Sequence, residues 1–460
     1  MGTIRLTAAQ AMIKWLSVQM TPEGERYIDG MWAIFGHGNV AGIGEALHAY
    51  RDVFPTWRGQ NEQTMAHAAI AYAKGKKRTR AMAVTSSIGP GSTNVVTAAA
   101  LAHVNRLPLL IVAGDVFANR RPDPVLQQVE DFDDGTVSAN DCFKPVSRYF
   151  DRITRPEHVL YALPRALRTM TDPANCGPAT LAFCQDVQAE AYDYPAEFFE
   201  PKVWDIRRPQ PDVEELARVA ALIKGAKRPV IISGGGTIYS QAEETLGAFA
   251  SKHNIPVAET QAGKSGLSQD HPMNFGASGV DGSAAANAAS ETADLVIGVG
   301  TRLQDFTTGS RTLFRDDATL VSINIHGYDA AKEWAQGLKN NLARKPQGND
   351  RAQVKAIWAG ECDISLGYTY YMGKMLENEE QSEWANSVRI VFPEFDGKGT
   401  HMNVSGVAMT KAAPHKEDAL AFMEFLASPE AQEIYAEVNY EFPVKPGVAR
   451  NSMNASASSL

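Results

Sequence analysis

The 460 residues predict an α/β protein: two successive parallel-sheet domains, then a third, partial α/β lobe. Two observations lead there. Short apolar runs that end in Gly or Ser alternate with stretches of helical periodicity, the pattern of a parallel sheet covered by helices. The length is also too great for one ordinary domain, so about three is the natural expectation. Composition is that of a soluble globular protein, with 44% hydrophobic and 21% charged residues. A formal net charge of -9 gives no electrostatic reason to expect nucleic acid or an anionic membrane as a partner.

In chain order, Thr7 to Gln10 fits a capping box, and Ala9, Met12, Ile13, Leu16 and Met20 follow at helical spacing. Trp32 to Phe35, Met82 to Thr85, Leu109 to Ala113 and Thr180 to Phe183 read as buried strands. A proline-bearing linker is expected over Tyr192 to Asp212. The second block then opens with a helix over Val213 to Lys224 and a strand over Pro229 to Ser233. Strands at Asp294 to Gly300 and Thr319 to Ile325 continue it. The third block, from about Trp334, has a turn at Pro346 to Asn349, a strand at Val388 to Phe392 and a helix at Lys416 to Leu426. The implied domains are 1–191, 192–331 and 332–447, with a disordered tail over 448–460.

Cys142, Cys176, Cys184 and Cys362 show no metal-type spacing and read as reduced structural residues. The opening lacks the pattern of a secretory signal, and no apolar run approaches the ~20 residues of a membrane span, so a cytoplasmic location is expected.

Several positions have the make-up of a ligand site. In RGQNEQTMAHAAIAYAKG (58–75), Glu62 precedes a helix whose Ala66, Ala69, Ile70 and Ala73 have burial spacing. A carboxylate there is either a helix cap or a catalytic group in an apolar cleft, and spacing alone leaves both open. His37 lies on the turn Gly36-His37-Gly38-Asn39, whose glycines let backbone approach a ligand, and Gly89-Pro90-Gly91 is a second such turn. His67 lies inside a helix, where a packing role is the ordinary one. Gln127 and Gln128 read equally as surface amides or as substrate contacts. PVIISGGGTIYS (229–240) runs a strand into three consecutive glycines, without the full spacing of a dinucleotide fingerprint, and a structural role is expected.

These stretches, with FGHGNVAGIGEAL (35–47), TSSIGPGSTNVV (85–96), NRLPLLIVAGD (105–115) and GPATLAFCQDV (177–187), resemble the pyrimidine-binding domain of thiamine-diphosphate enzymes. RRPDPVLQQVED (120–131), KPVSRYFDRITRPE (144–157) and ETQAGKS (259–265) narrow the resemblance. They are similar to the inositol-catabolism hydrolases of that superfamily, which open the ring of 3D-trihydroxycyclohexane-1,2-dione. The resemblance covers residues 1 to about 331. It implies a Rossmann-like central domain, thiamine diphosphate with Mg²⁺ as cofactor, a small-molecule substrate and a homo-oligomer assembled through the pyrimidine domain. It makes Glu62 the carboxylate that hydrogen-bonds the aminopyrimidine and starts general acid–base catalysis. His37 is placed near the reacting carbons, Gly36, Gly38, Asn39, Gly89, Pro90 and Gly91 near the cofactor, and His67, Gln127 and Gln128 toward substrate.

The family holds diphosphate and Mg²⁺ through a Gly-Asp-Gly and a later Asn in a third domain, which hard magnesium's need for oxygen ligands explains. No Gly-Asp-Gly occurs in this sequence, so the diphosphate end of the site is expected to be incomplete and turnover absent. Residues 334–375 and 392–447 instead resemble the ferric-ion-binding proteins of bacterial iron importers, across a joint near Lys332 to Trp334. That resemblance implies Fe³⁺ ligation by the adjacent phenols of Tyr370 and Tyr371, hard donors for a hard cation. Two incomplete parents on one chain also allow a fusion that does neither job.

Overall fold

The computed structural model describes residues 2–122, 124–126, 128, 131, 133–326, 349–365, 367–391, 415–444 and 446–448. The chain divides into two compact units, Met1–Glu333 and Trp334–Leu460.

The first unit holds two parallel sheets. The N-terminal one has six strands in the spatial order Thr56–Arg58, Ile28–Ala33, Ala81–Ser86, Leu109–Asp115, Pro178–Cys184, Tyr149–Ile153. Its central strands are buried at every position, which is why they read as continuous apolar runs rather than alternating ones. One face carries a core built around Met12, Ile13, Leu16, Phe54, Leu163 and Phe183. On the other, the helix Glu62–Gly75 and the helix Val96–Asn105 pack small alanines against Val84, Leu109 and Ile111. The first helix, Ala8–Ser17, starts with the capping box that the sequence predicts. Thr7 Oγ1 accepts from the Gln10 N–H at 3.2 Å and the Gln10 side chain accepts from the Thr7 N–H at 3.1 Å.

The second sheet has the order Asn274–Ala277, Val257–Glu259, Pro229–Ser233, Leu295–Val299, Thr319–Ile323, all parallel, a doubly wound arrangement. The two halves of this unit meet through Lys77 Nζ to Glu243 Oε1 at 2.5 Å, the Arg78 guanidinium 5.0 Å from the Tyr239 ring centre, and Arg302 Nη2 donating to the Val104 carbonyl at 2.6 Å.

Two sequence expectations need correction. The front of the expected linker is ordered: Ala191–Pro195 pairs antiparallel with the strand Thr3–Thr7, from Thr3 opposite Pro195 to Thr7 opposite Ala191. Tyr192 and Tyr194 meet edge to face there with ring centres 5.0 Å apart, and Tyr194 is fully buried with its hydroxyl donating to the Pro156 carbonyl at 2.8 Å. Prolines flag a break in regular structure, but they do not report the aromatic side chains that nail this ribbon down.

The second correction falls in the second unit, whose described elements are helices: Asp350–Trp358, Thr369–Leu376, Ser382–Asn386, Lys416–Leu426 and Pro429–Asn439. Val388 to Val391 forms no strand. Val388 and Ile390 pack on the small Met372–Met375–Ala385 core while Val391 is exposed, so the period-2 alternation is that of an extended segment without a partner among the described residues. The expected turn at Pro346 to Asn349, apart from its last residue, and most of the tail lie outside the described residues.

Candidate functional site

Parallel sheets place ligands outside the carboxyl ends of their strands, where the strand order reverses. In the six-stranded sheet the chain leaves Ile28–Ala33 for the neighbour on one side, Thr56–Arg58, then crosses to Ala81–Ser86 on the other. The reversal therefore lies between the loops that follow Ala33 and Ser86. Those loops carry Gly36-His37-Gly38-Asn39 and Gly89-Pro90-Gly91, and Glu62 follows the strand Thr56–Arg58, so topology converges on the residues that the motifs singled out.

The contacts close the cluster. A side chain at Gly36 would meet Ser87 Oγ at 2.5 Å, and the Gly38 N–H donates to that oxygen at 3.3 Å. Ser87 in turn borders Gly91, where a Cβ would stand 3.2 Å from Ser87 Cβ and 3.5 Å from Glu62 Oε1. A chain of contact thus runs from the His37 turn through Ser87 and Gly91 to Glu62. Gly89 adopts φ 58°, the left-handed region that favours glycine, and its carbonyl takes the Thr93 N–H and the Ser92 hydroxyl at 3.0 Å each. Pro90 at the next position starts the one-turn helix Pro90–Thr93.

The capping half of the question at Glu62 has a geometric answer. Asn61 is the cap, its Oδ1 accepting from the Thr64 N–H at 3.0 Å. Glu62, one residue on, turns its Oε2 to the amide of Asn94, which donates at 3.0 Å. Asn94 is a site residue that the sequence reading missed; it lies inside the glycine motif, but only the fold brings it to Glu62.

Asn39 proves to be structural. It is 1% exposed, its Nδ2 donates to the Ile34 carbonyl and Thr85 Oγ1, and its Oδ1 accepts from the Gly36 N–H. Its amide holds the glycine turn. His37 is partly buried, with Nε2 2.5 Å from the Leu126 carbonyl. His67 lies five residues beyond Glu62, about 140° round the helix at ~100° per residue, so the helix does not bring the two together. Gln128 is partly buried with an Oε1 that lacks a hydrogen-bond partner; Gln127 lies outside the described residues.

The glycine run of the second sheet is no phosphate cradle. The N–H groups of Gly234 and Gly236 donate to the carbonyls of Val299 and Gly300 at 2.8 and 3.0 Å. A Cβ at Gly234 would stand 2.3 Å from the Gly300 oxygen. The reversal point of this sheet is thus filled by backbone packed on backbone.

In the second unit Tyr370 and Tyr371 sit in the first turn of Thr369–Leu376 with ring centres 4.3 Å apart. The hydrogen bond with Tyr371, with burial adding to it, pushes the Tyr370 hydroxyl up to about 12. No cluster of three His, Cys, Asp or Glu with metal-holding geometry occurs among the described residues. Nor is any described helix long and apolar enough to cross a membrane.

Comparison with known proteins agrees with this architecture. Residues 33–134 match the thiamine pyrophosphate enzyme N-terminal TPP binding domain, and residues 216–338 the central domain of the same enzymes. The front of this chain resembles thiamine pyrophosphate enzymes. Among curated proteins, the 3D-(3,5/4)-trihydroxycyclohexane-1,2-dione hydrolase of Geobacillus thermodenitrificans is 48% identical over 390 residues, 80% of this chain and 61% of that protein. Hydrolase 1 of that name from Bacillus cereus is 48% identical over 336 residues, 72% of this chain and 52% of the other. The Halalkalibacterium halodurans protein is 45% identical over 405 residues, 84% and 63% respectively. The chain therefore spans between about half and two-thirds of the length of these thiamine pyrophosphate enzyme relatives. Residues 315–459 match a different family, the bacterial extracellular solute-binding proteins, so two lineages meet on one chain.

For a thiamine-type cofactor the residues present fit the aminopyrimidine end. The carboxylate of Glu62 is anchored through one oxygen, and the missing side chain of Gly91 leaves room beside the other. Nothing comparable is found for a diphosphate–metal end among the described residues.

Proposed function

We propose that this switch-point cluster is the pyrimidine half of a thiamine diphosphate site, serving hydrolytic opening of 3D-trihydroxycyclohexane-1,2-dione in inositol catabolism. The observation that carries this reading is the Glu62 carboxylate, relieved of capping by Asn61, fixed by Asn94 and bordered by Gly91. When bound, the cofactor supplies the carbanion-stabilising chemistry. Glu62 holds a proton against the pyrimidine nitrogen, as a positioned general acid–base group does. The glycines at 36, 38, 89 and 91 are assigned to the cofactor and His37 to the reacting carbons, with His67, Gln127 and Gln128 as weaker substrate candidates. The work belongs in the cytoplasm, and self-association through this domain is supported by the exposed Val40, Val53 and Trp57.

In this reading the chain as given does not turn substrate over. Hard Mg²⁺ and a diphosphate need oxygen ligands and free N–H donors; no Gly-Asp-Gly occurs, and the N–H groups of Gly234 and Gly236 are spent internally. Titration calorimetry tests both halves. A free aminopyrimidine alcohol should bind weakly and lose its heat signal in Glu62→Gln, while thiamine diphosphate with Mg²⁺ should bind little better than the fragment. Pyrimidine binding indifferent to Glu62→Gln would remove the carboxylate's role. Tight Mg²⁺-dependent binding with turnover would remove the inactivity.

A second reading concerns the other unit and rests on the paired phenols of Tyr370 and Tyr371. Two adjacent phenol oxygens can bind Fe³⁺ as cargo once the cation displaces their protons. A visible phenolate-to-iron charge-transfer band that vanishes in the double Phe variant is the expected result; its absence in the parent chain rejects this reading.

A further inference from the structure

The short helix Gln185–Ala189 follows the strand Pro178–Cys184 and makes no direct contribution to the Glu62 cluster, yet two of its side chains reach both walls around His37. Gln188 is 1% exposed. Its Nε2 donates to the Gly38 carbonyl at 2.9 Å and to the Phe183 carbonyl at 3.0 Å, and its Oε1 accepts from the Ile43 N–H at 3.3 Å. A buried amide satisfied on both ends is rigid, and this one is anchored to the residue next to His37. Gly42 has no side chain because a Cβ would stand 2.3 Å from Gln188 Cβ, so the turn and the amide interlock.

Asp186 works on the opposite wall. One carboxylate oxygen accepts from the Ala118 N–H at 2.9 Å; the other accepts from the Asn119 N–H at 3.2 Å and its amide at 2.8 Å. These bonds fix Ala118 and Asn119, and further along the chain the Leu126 carbonyl stands 2.5 Å from His37 Nε2. A carbonyl oxygen only accepts, so the bond requires the proton on Nε2. In the neutral imidazole the lone pair then resides on Nδ1.

We infer that Asp186 and Gln188 are positioning residues for His37, holding one wall each so that the Leu126 carbonyl locks the imidazole as its Nε2–H tautomer with Nδ1 as the acceptor. The pairing gives His37 a defined role, a base at Nδ1 in neutral form, rather than a mixture of two tautomers. Two residues of one short turn thereby define the proton inventory of a third, some 150 positions earlier in the chain. The inference rests on hydrogen-bond geometry around His37; only its catalytic meaning rests on the proposed thiamine reading.

The test is nitrogen NMR on the full chain labelled with ¹⁵N-histidine, at alkaline pH where imidazole is neutral. His37→Asn identifies the His37 signals. The parent should show one strongly split pair, with Nε2 protonated and Nδ1 bare. Asp186→Ala and Gln188→Leu should pull the two resonances together, the mark of exchanging tautomers. Asp186→Asn, which keeps an acceptor oxygen, should restore most of the splitting and serves if the alanine variant does not fold. A parent His37 with the proton on Nδ1, or with averaged signals, overturns the inference. So does an unchanged splitting in folded Asp186→Ala and Gln188→Leu. Loss of pyrimidine binding in Glu62→Gln leaves this result untouched, so the two ideas fail separately.

Discussion

At the scale of single residues, the candidate site residues were legible in the sequence, but their contacts were not. Glu62, His37 and the two glycine turns were legible because each has a local cue: a carboxylate beside an apolar helix face, or glycines flanking a histidine or a proline. Asn94, Ser87, Asp186 and Gln188 carry no such cue, since amides and hydroxyls in loops are commonplace, and they acquire meaning only when the sheet brings strand ends together. Asn39 is a polar residue in a ligand-type motif whose amide is engaged within the protein, with Ile34, Gly36 and Thr85. We expect Asn39→Ala to leave three hydrogen-bonding groups, two of them donors or acceptors of the buried turn, without partners. The cost should be about 1–3 kcal/mol, as for other unsatisfied buried groups, read as a shift in the urea midpoint. A ligand contact would instead leave stability unchanged.

The same sheet end holds an ion network that no motif announced. Asp115 is fully buried; Arg152 Nε donates to it at 2.6 Å and Ser138 Oγ at 2.5 Å, while Arg152 Nη2 reaches Asp141 at 2.9 Å. Arg152→Met strands that buried carboxylate and should cost about 3–5 kcal/mol by chemical denaturation. Burial pushes the Asp141 carboxyl up, but the Ser138 N–H, Lys144 and Arg152 outweigh it and hold the group below the usual carboxylate range. A depressed value means that its stabilisation is complete above the unfolded pKa of ~3.9 and is lost as pH falls through the lower folded value. Asp141→Asn should therefore flatten the acid limb of the stability–pH profile. A profile that keeps its slope would show the network to be energetically idle.

Among elements, the strands were the easiest to read, because a strand buried on both faces must be continuously apolar. Pro229–Ser233 and the helix Lys416–Leu426 fall where the sequence puts them. The ribbon of Thr3–Thr7 with Ala191–Pro195 was missed since its partners lie almost the whole domain apart and its polar-rich strands lack an apolar run. The glycine run at 234 to 236 offers the sharpest element-level contrast. Gly234→Ala drives a methyl into the backbone of Gly300 and Thr301, which cannot yield, and should destabilise the second sheet by about 1–3 kcal/mol. Gly225, at the end of the helix Val213–Gly225, has nothing within 4 Å of an added Cβ, and Gly225→Ala should be neutral or stabilise by up to about 1 kcal/mol. Equal effects of the two substitutions in urea titrations would contradict the packing role assigned to the first.

For the whole molecule, the two units differ in how much core they own. The N-terminal sheet alone has two large buried clusters on its faces, and the second sheet adds two more. In the second unit the described buried cluster consists of Met372, Met375 and Ala385, with four partly buried neighbours. Its helix Lys416–Leu426 buries no residue, and Leu420, Phe422 and Phe425 remain exposed by 49%, 59% and 43%. Hydrophobic stabilisation scales with apolar area removed from water, so the described part of this unit has far less to set against the entropy of ordering its chain. The match to the solute-binding family covers residues 315–459 and overlaps the end of the enzyme-like central-domain match, which runs to 338. Scanning calorimetry should therefore show two transitions, the second unit melting first over a broad range and the enzyme-like unit melting later and cooperatively. Limited proteolysis below the first transition should cut within 334–460 and leave the first unit intact, and Tyr370→Phe should leave the later transition unmoved. One cooperative transition whose calorimetric and van't Hoff enthalpies agree for all 460 residues would show that the units fold as a single body. The second unit would then draw its stability from the first rather than from its own small core.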